Sequence, residues 1–314
     1  MAIPSPSPNP LYWLRPMTAD RPDYASQAPL NEALEFASGL DGSGMTTSIA
    51  KDFSNGPNGY PAEKGFPFGG LMAALAVQAM RQAHDITAPL RSLSVQFLSA
   101  AKYDQDVAYS ARLLRAGRNV TYATAEAHQG DRFLLNANGT FGLDSDWDKP
   151  ASDLARVPPA LDTMKPGPGL YGPMAPRFTN YVDYRFETGP NILGGNAGKK
   201  AVERVWMRTR DGAPLDELRL AFLLDALYPP AMTLTTDWLK MTSVDLRYDF
   251  LRPVTAELAP DGWVFFEYSL LEHDYGWSLD DAYVWAADGT PLAIARQRRK
   301  VLPGRPKPTQ TDSI

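Results

Sequence analysis

The sequence predicts an α+β protein of two matching units, each a long antiparallel sheet curved round one apolar helix. Three observations lead there. A helical signal over residues 67–84 is followed by four alternating segments. The same succession returns from residue 214 onward. Short residue echoes then recur between the two stretches at a separation of about 150 residues, which suits a duplicated domain and is far longer than a solenoid period.

The elements follow in order. Residues 1–30 open MAIPSPSPNP and read as an extended arm, too rich in Pro and Ser to build a core. A first unit is expected over 31–143. Within it Pro67 to His84 (PFGGLMAALAVQAMRQAH) is too long and Ala-rich for a strand. Leu90–Leu98, Val107–Arg115, Val120–His128 and Phe133–Phe141 have period-2 character between Gly, Asp and Asn turns. Residues 144–176 hold many Pro, Gly and Asp without sustained periodicity, which marks a linker. The second unit, 177–302, begins with strands at Tyr181–Phe186 and Ala201–Thr209. A helix follows over Pro214–Tyr228, started by Pro214, Asp216 and Glu217. Strands at Thr242–Leu251, Trp263–Glu272, Ser278–Ala286 and Leu292–Val301 complete it, and 303–314 has tail composition.

The echoes are specific residues. Phe97-Leu98 and Phe250-Leu251 end the first strand after each helix. Gly117 and Gly276 open the next hairpin, and Gly130 and Gly289 close the one after. A helix enclosed by a curved sheet must be apolar on most sides. Leu71, Met72, Leu75, Val77 and Met80 meet that need in one copy, and Leu220, Phe222, Leu223, Leu224 and Leu227 in the other. Such a unit is the hotdog fold, and two in one chain make a tandem (double) hotdog, with two antiparallel sheets each wrapped round a central helix.

Composition narrows the chemistry. The 314 residues are 44% hydrophobic and 21% charged with a net charge of −5, enough apolar content for a sizeable core. No basic stripe exists to neutralise phosphates, so no nucleic-acid partner is expected. The densest charge cluster, Arg296–Lys300 (RQRRK), reads as the solvated end of a strand or a local anchor for a ligand phosphate. The absence of cysteine excludes disulfides, thiolate metal sites and a Cys nucleophile. His84, His128 and His273 lack metal-ligand spacing, and there is no GxSxG elbow, P-loop or Rossmann fingerprint. No metal or organic cofactor is therefore expected. The N-terminus lacks the pattern of a secretory signal, and no window nears 18 uninterrupted apolar residues. A cytoplasmic protein without a membrane span is the expectation.

Asp225 is the most informative single residue. It sits in Leu218–Tyr228 (LRLAFLLDALY), six residues from Arg219, the nearest cation of that run. Desolvating an unpaired carboxylate costs several kcal/mol, roughly, or forces its protonation. The residue lies too far from the helix start to act as an N-cap. Its alternatives are a structural hydrogen bond to a nearby loop, exposure to solvent, or chemistry.

At this point a family comes into view. Arg204–Pro229 (RVWMRTRDGAPLDELRLAFLLDALYP) resembles the double-hotdog acyl-CoA thioesterases of the thioesterase II (TesB-like) class. Phe68-Gly69-Gly70 at the first helix, Ser94–Leu98 (SVQFL) and Phe250–Pro253 (FLRP) match the layout of that class, and the likeness runs from about Met45 to Val301. The resemblance implies hydrolysis of an acyl-CoA substrate to free acid and CoA. It also implies a catalytic group of an Asp on the second helix, a Thr or Ser on the following strand and a Gln on the last strand. Carried over by position, these are Asp225, Ser243 and Gln297. Departures exist: Leu71 and Leu246 stand where many members have Gln and His, and Thr242 beside Ser243 leaves the hydroxyl's register open by one.

In that reading Asp225 accepts a proton from water as general base while Ser243 and Gln297 orient it. Burial would make Asp225 more basic, and hydrogen bonds from Ser243 and Gln297 would oppose this. Gly69 and Gly70, behind Phe68, would offer backbone N–H groups to the oxyanion at a helix start, or serve close packing alone. Arg118 and Asn119, after Gly117, would meet a CoA phosphate or merely form a polar hairpin tip. Tyr228 and Trp238 would shape an acyl or aryl pocket. Two rival readings stay open: a hotdog protein that binds a thioester or hydrophobic metabolite without hydrolysis, and a hotdog dehydratase or hydratase. A homo-oligomer is a family expectation.

Overall fold

Among the described residues, twelve strands join in one continuous antiparallel sheet. The computed structural model describes residues 30–38, 45–145, 152–164, 170, 175–188, 190–196 and 200–302. The expected arm (save Leu30) and the expected tail lie outside them. The strands are β1 (Ala37–Ser38), β2 (Met45–Ser48), β3 (Leu90–Phe97), β4 (Asp106–Ala116), β5 (Val120–Gln129) and β6 (Arg132–Gly142) in the first half. In the second half they are β7 (Val182–Phe186), β8 (Val202–Thr209), β9 (Met241–Phe250), β10 (Val264–Asp274), β11 (Trp277–Trp285) and β12 (Pro291–Val301). The helices are α1 (Leu30–Ala33), α2 (Gly69–His84) and α3 (Glu217–Leu223).

The spatial order is β1-β2-β4-β5-β6-β3-β9-β12-β11-β10-β8-β7. Read outward from the centre, each half runs in the same sequence. The first strand after α2 or α3 is central, then come the fourth, third and second, and the strand preceding that helix lies beyond them. The two expected sheets are thus one, because β3 and β9 pair, with Val95 opposite Leu246 and Ser94 opposite Arg247. That seam cannot be seen in local periodicity, since it joins open edges of two halves that are separately consistent. Edge pairing of this kind satisfies backbone groups that would otherwise be exposed.

α2 is buried along Gly70–Val77 and again at Ala79 and Met80. It packs against β4, β5, β6 and α3. Arg81 of α2 donates from Nη2 to Glu217 Oε2 of α3 at 2.7 Å, which ties the two helices together. α3 is shorter than the sequence suggests. Asp216 caps it by accepting the Arg219 N–H at 2.7 Å, but it ends at Leu223 instead of running to Tyr228. Pro229 and Pro230 supply no N–H for continuation, and Pro229 disfavours helical geometry at Tyr228. Tertiary hydroxyls take over the freed carbonyls. Tyr268 donates to those of Leu223 and Leu224, both at 3.2 Å, and Tyr184 to that of Ala226 at 2.8 Å.

A second apolar cluster, Met164, Trp206, Trp263, Phe265 and Trp285, lies apart from the main core. Residues 152–164 cover it: the indoles of Trp206 and Trp285 donate to the carbonyls of Pro159 and Leu154. Most aromatics of the second half are indeed buried, but Tyr275 and Trp277 are exposed on the β10–β11 hairpin.

Glu203 on β8 is a buried carboxyl, only 2% exposed. Burial pushes its carboxyl up to about 7, opposed by hydrogen bonds from Tyr228 and Asn191. The folded state therefore holds this proton more tightly than the unfolded chain does. Its stabilising effect is complete below the unfolded Glu pKa near 4.5 and is lost as pH rises through about 7. Urea unfolding should show wild type losing about 3 kcal/mol from this group between pH 4.5 and 8. The Glu203→Gln variant should lack that component, and parallel pH curves for the two proteins would refute it.

Candidate active site

A cavity of roughly 450 Å³ opens between the start of α2, the end of β3, the turn after α3 and the first residues of β9. Its walls are largely apolar. Phe68, Phe97, Phe178, Tyr228 and the half-exposed Trp238 all line it. Phe68 stacks on Phe178 with centroids 3.8 Å apart, so the segment before β7 closes one side. Both Tyr228 and Trp238 contribute to this surface, as does Met72 of α2.

Asp225 lies at the cavity wall, in the turn just past α3 and not within the helix. Its side chain points inward from the end of one helix toward the start of the other. The Gly70 N–H of α2 bonds to its carboxylate. A Cβ on Gly69 would stand 2.7 Å from Asp225 Oδ2, so the carboxylate reaches this close only because residue 69 has no side chain. Burial raises the carboxyl above the ordinary Asp range, while the Arg299 guanidinium, Gln297 and the Gly70 amide act in the opposite direction. Burial is the largest of these influences. A carboxylate at a helix N-terminus is electrostatically favoured, but here desolvation outweighs that gain.

Gln297 joins the parts. Its Nε2 donates to Asp225 Oδ1 at 2.9 Å and to Ser243 Oγ at 2.6 Å. Arg299 donates from Nη2 to Gln297 Oε1. Because arginine has only donors, the amide oxygen must face Arg299, which turns the nitrogen toward Asp225 and Ser243. Both N–H donors of the Gln297 amide are thereby used. Ser243 Oγ accepts from it and keeps its own proton to give elsewhere in the cavity. Ser243 therefore meets Asp225 through Gln297, where a direct bond to the carboxylate was expected.

The hydroxyl faces inward because of a β-bulge. Along β9, Leu246, Tyr248 and Phe250 are buried on one face. Simple alternation would put residue 243 on the other. Against β12, however, Arg298 pairs with Asp245 and Arg299 with Ser243, leaving Val244 as an extra residue. The bulge re-aims Ser243, and both Ser243 and Val244 line the cavity. Thr242 is also at the wall, but Ser243 holds the bond to Gln297.

The Arg296–Lys300 cluster is not a uniformly solvated strand end. Arg299 is 5% exposed, with Nη2 3.9 Å from Asp225 Oδ1 and Nε 3.2 Å from Asp280 Oδ2. Arg296 instead forms a forked pair with Asp281, at 2.6 and 2.7 Å. Alternation could have found Arg299, since it follows Gln297 by two and shares its face; the run of cations pointed the other way.

Other expected site residues separate. Gly69 lines the cavity, whereas Gly70 is packed beneath it: a Cβ there would meet the Phe222 carbonyl oxygen at 2.5 Å. Gly70 is not among the residues lining the cavity, and its amide favours the Asp225 carboxylate. Arg118 and Asn119 border a different, smaller depression with His84, Asp85 and Ile86, which shares no residue with the Asp225 cavity.

Comparison with known proteins gives the class, a thioester hydrolase. Residues 57–142 match the model of the acyl-CoA thioesterase N-terminal domain and residues 153–298 that of the C-terminal domain. The chain belongs to this acyl-CoA thioesterase family. Among solved structures it is similar to a hot dog fold protein of unknown function from Alicyclobacillus acidocaldarius, at 20% identity and TM-score 0.74 over 88% of this chain and 98% of that one. It is also similar to the tesB protein of Mycobacterium avium subs paratuberculosis, at 15% and 0.68 over 87% and 98%. A third is the acyl-CoA thioesterase II TesB2 of Mycobacterium marinum, at 20% and 0.66 over 88% and 99%. No curated protein matches the chain by sequence. Among the described residues, no helix is long and apolar enough to cross a membrane.

Proposed function

We propose that this chain hydrolyses an acyl-CoA thioester to the free acid and CoA by means of a water activated at Asp225, Ser243 and Gln297. The observation that carries this reading is the Gln297 amide bonded at once to the Asp225 carboxylate and the Ser243 hydroxyl, two groups that line an apolar cavity. A water accepting from Ser243 Oγ–H and donating to Asp225 is both held and polarised. As it attacks the thioester carbonyl, Asp225 takes its proton, a step that general bases accelerate about 10²–10⁴-fold. The raised basicity of the buried carboxyl suits that task. The oxyanion forms near the start of α2, where the Gly69 end of the helix favours negative charge. Collapse breaks the carbon–sulfur bond, and the proton held by Asp225 returns to the departing thiolate.

In this reading the chain is a tandem hotdog, with units at 31–143 and 177–302 and a connecting stretch at 144–176. One unit supplies the helix start and the other the water-activating trio. The aromatic walls suit an uncharged hydrophobic acyl group. Thiol release from a panel of acetyl-, octanoyl-, palmitoyl- and benzoyl-CoA tests the proposal. Saturable turnover is expected, fastest with one of the three larger acyl groups. Tight binding of every thioester with no CoA released would overturn it.

A further inference from the structure

We infer that Arg299 is a positioning residue for the hydrolytic water: it fixes the orientation of Gln297 and supplies the positive charge that keeps Asp225 ionised. The inference rests on Asp225 acting as the base. Its geometry has two parts. The bond from Arg299 Nη2 to Gln297 Oε1 forbids the flipped amide, in which a carbonyl oxygen would face the carboxylate and repel it. Without that lock, the amide loses the reason to present its nitrogen to Asp225 and Ser243 together.

The second part is charge. Around Asp225 stand Arg299 and Gln297 of β12, Tyr248 of β9, Tyr268 of β10 and the Gly70 amide of α2. Both tyrosine hydroxyls are pushed well above their usual range and stay neutral. Arg299 is therefore the charged neighbour that favours the carboxylate form against burial. A base that is already protonated cannot accept a proton from water, so the cation decides how far into acid pH the enzyme works. Asp280 of β11 holds the guanidinium from behind, at 3.2 Å from Nε, and is itself steadied by the Ser278 hydroxyl at 3.2 Å. His273 favours the ionised form of Asp280, and Asp281, its neighbour on the opposite face of β11, opposes it. Asp225, Arg299 and Asp280 thus form a buried acid–base–acid row across the ends of β12 and β11.

The test is the pH dependence of kcat/KM in Arg299→Gln and Arg299→Lys. An opposite charge within 4–6 Å lowers a carboxyl pKa by about one to three units. Arg299→Gln should therefore move the acid limb up by about one pH unit or more and lower kcat at pH 7 about tenfold or more. KM should stay within about threefold of wild type, because the residue acts through its neighbours on the water. Arg299→Lys should return the acid limb toward wild type, since the charge is restored. It should not restore full kcat, because an ammonium lacks the planar fork that holds Gln297 and Asp280 together. The Arg299→Gln/Asp280→Asn double variant avoids leaving Asp280 buried without its cation, so it reports even if the single variant folds poorly. An acid limb unmoved in Arg299→Gln or in that double variant overturns the inference. If Asp225→Asn is inactive while the limb is unmoved, only Arg299's role falls; if Asp225→Asn keeps wild-type kcat, the base assignment falls and takes this inference with it.

Discussion

Asp225→Asn should reduce kcat at least about a hundredfold while leaving the fold intact. The lower bound follows from the contribution a positioned general base usually makes, about 10²–10⁴-fold. Asparagine has the same shape, so the turn after α3, held by Tyr268 and Tyr184 on its carbonyls, has no reason to move. KM should change little, because the loss concerns the water and not the acyl group. Stability gives a second readout. Burial raises the Asp225 carboxyl, so the folded state binds its proton more tightly than the unfolded chain. The sign follows directly: this group contributes most below the unfolded Asp pKa, and its contribution is lost as pH rises through the folded one. The thermal unfolding midpoint of wild type relative to Asp225→Asn should therefore fall as pH rises out of the acid range. Thiol-release kinetics and paired melting curves measure both quantities. A variant that retains more than about a tenth of wild-type kcat would remove Asp225 from the chemistry.

The same residues show what a sequence makes legible. Period-2 alternation placed the strands after each helix within a residue or two of their observed ends, because each has one face to bury. The buried Asp225 stood out as a charge in an apolar run, and the family resemblance brought Ser243 and Gln297 into its company. That Ser243 actually points inward was hidden, since it depends on Val244 being extra against β12. A bulge is a property of two strands together and leaves little mark on either alone. The end of α3 was hidden for a related reason: the hydroxyls of Tyr184 and Tyr268 come from distant strands. The β3–β9 seam depends on two units meeting, which no window of sequence contains. Arg299 was readable by alternation with Gln297, yet its charge argued for water; the acids that hold it, Asp225 and Asp280, lie on other elements.

Gly69→Ala and Gly70→Ala should fail in opposite ways, although they add one methyl group each to adjacent positions. At residue 69 the new Cβ would stand 2.7 Å from Asp225 Oδ2 and 3.1 Å from Phe97 Cζ, both ends of side chains that can give way. Alanine also favours helix over glycine by up to about 1 kcal/mol. The expected result is a fold of near wild-type stability in which the carboxylate is displaced from Gln297 and the mouth of the cavity is narrowed. A shift of about 1 Å in a catalytic group can lower activity about a hundredfold, so kcat should fall by one to two orders of magnitude. At residue 70 the Cβ would lie 2.5 Å from the Phe222 carbonyl oxygen and 2.7 Å from two ring carbons of Phe68. The carbonyl belongs to α3 and cannot rotate aside, so the helices must separate. Overpacking of that kind costs about 1–3 kcal/mol or more, and Gly70→Ala should show it as a lower denaturant midpoint. Whatever activity remains should track the folded fraction. The pair separates two reasons for glycine at a helix start, approach of a reacting group and approach of another helix. Loss of stability at 69 with full turnover per folded molecule would put packing, not chemistry, at both positions.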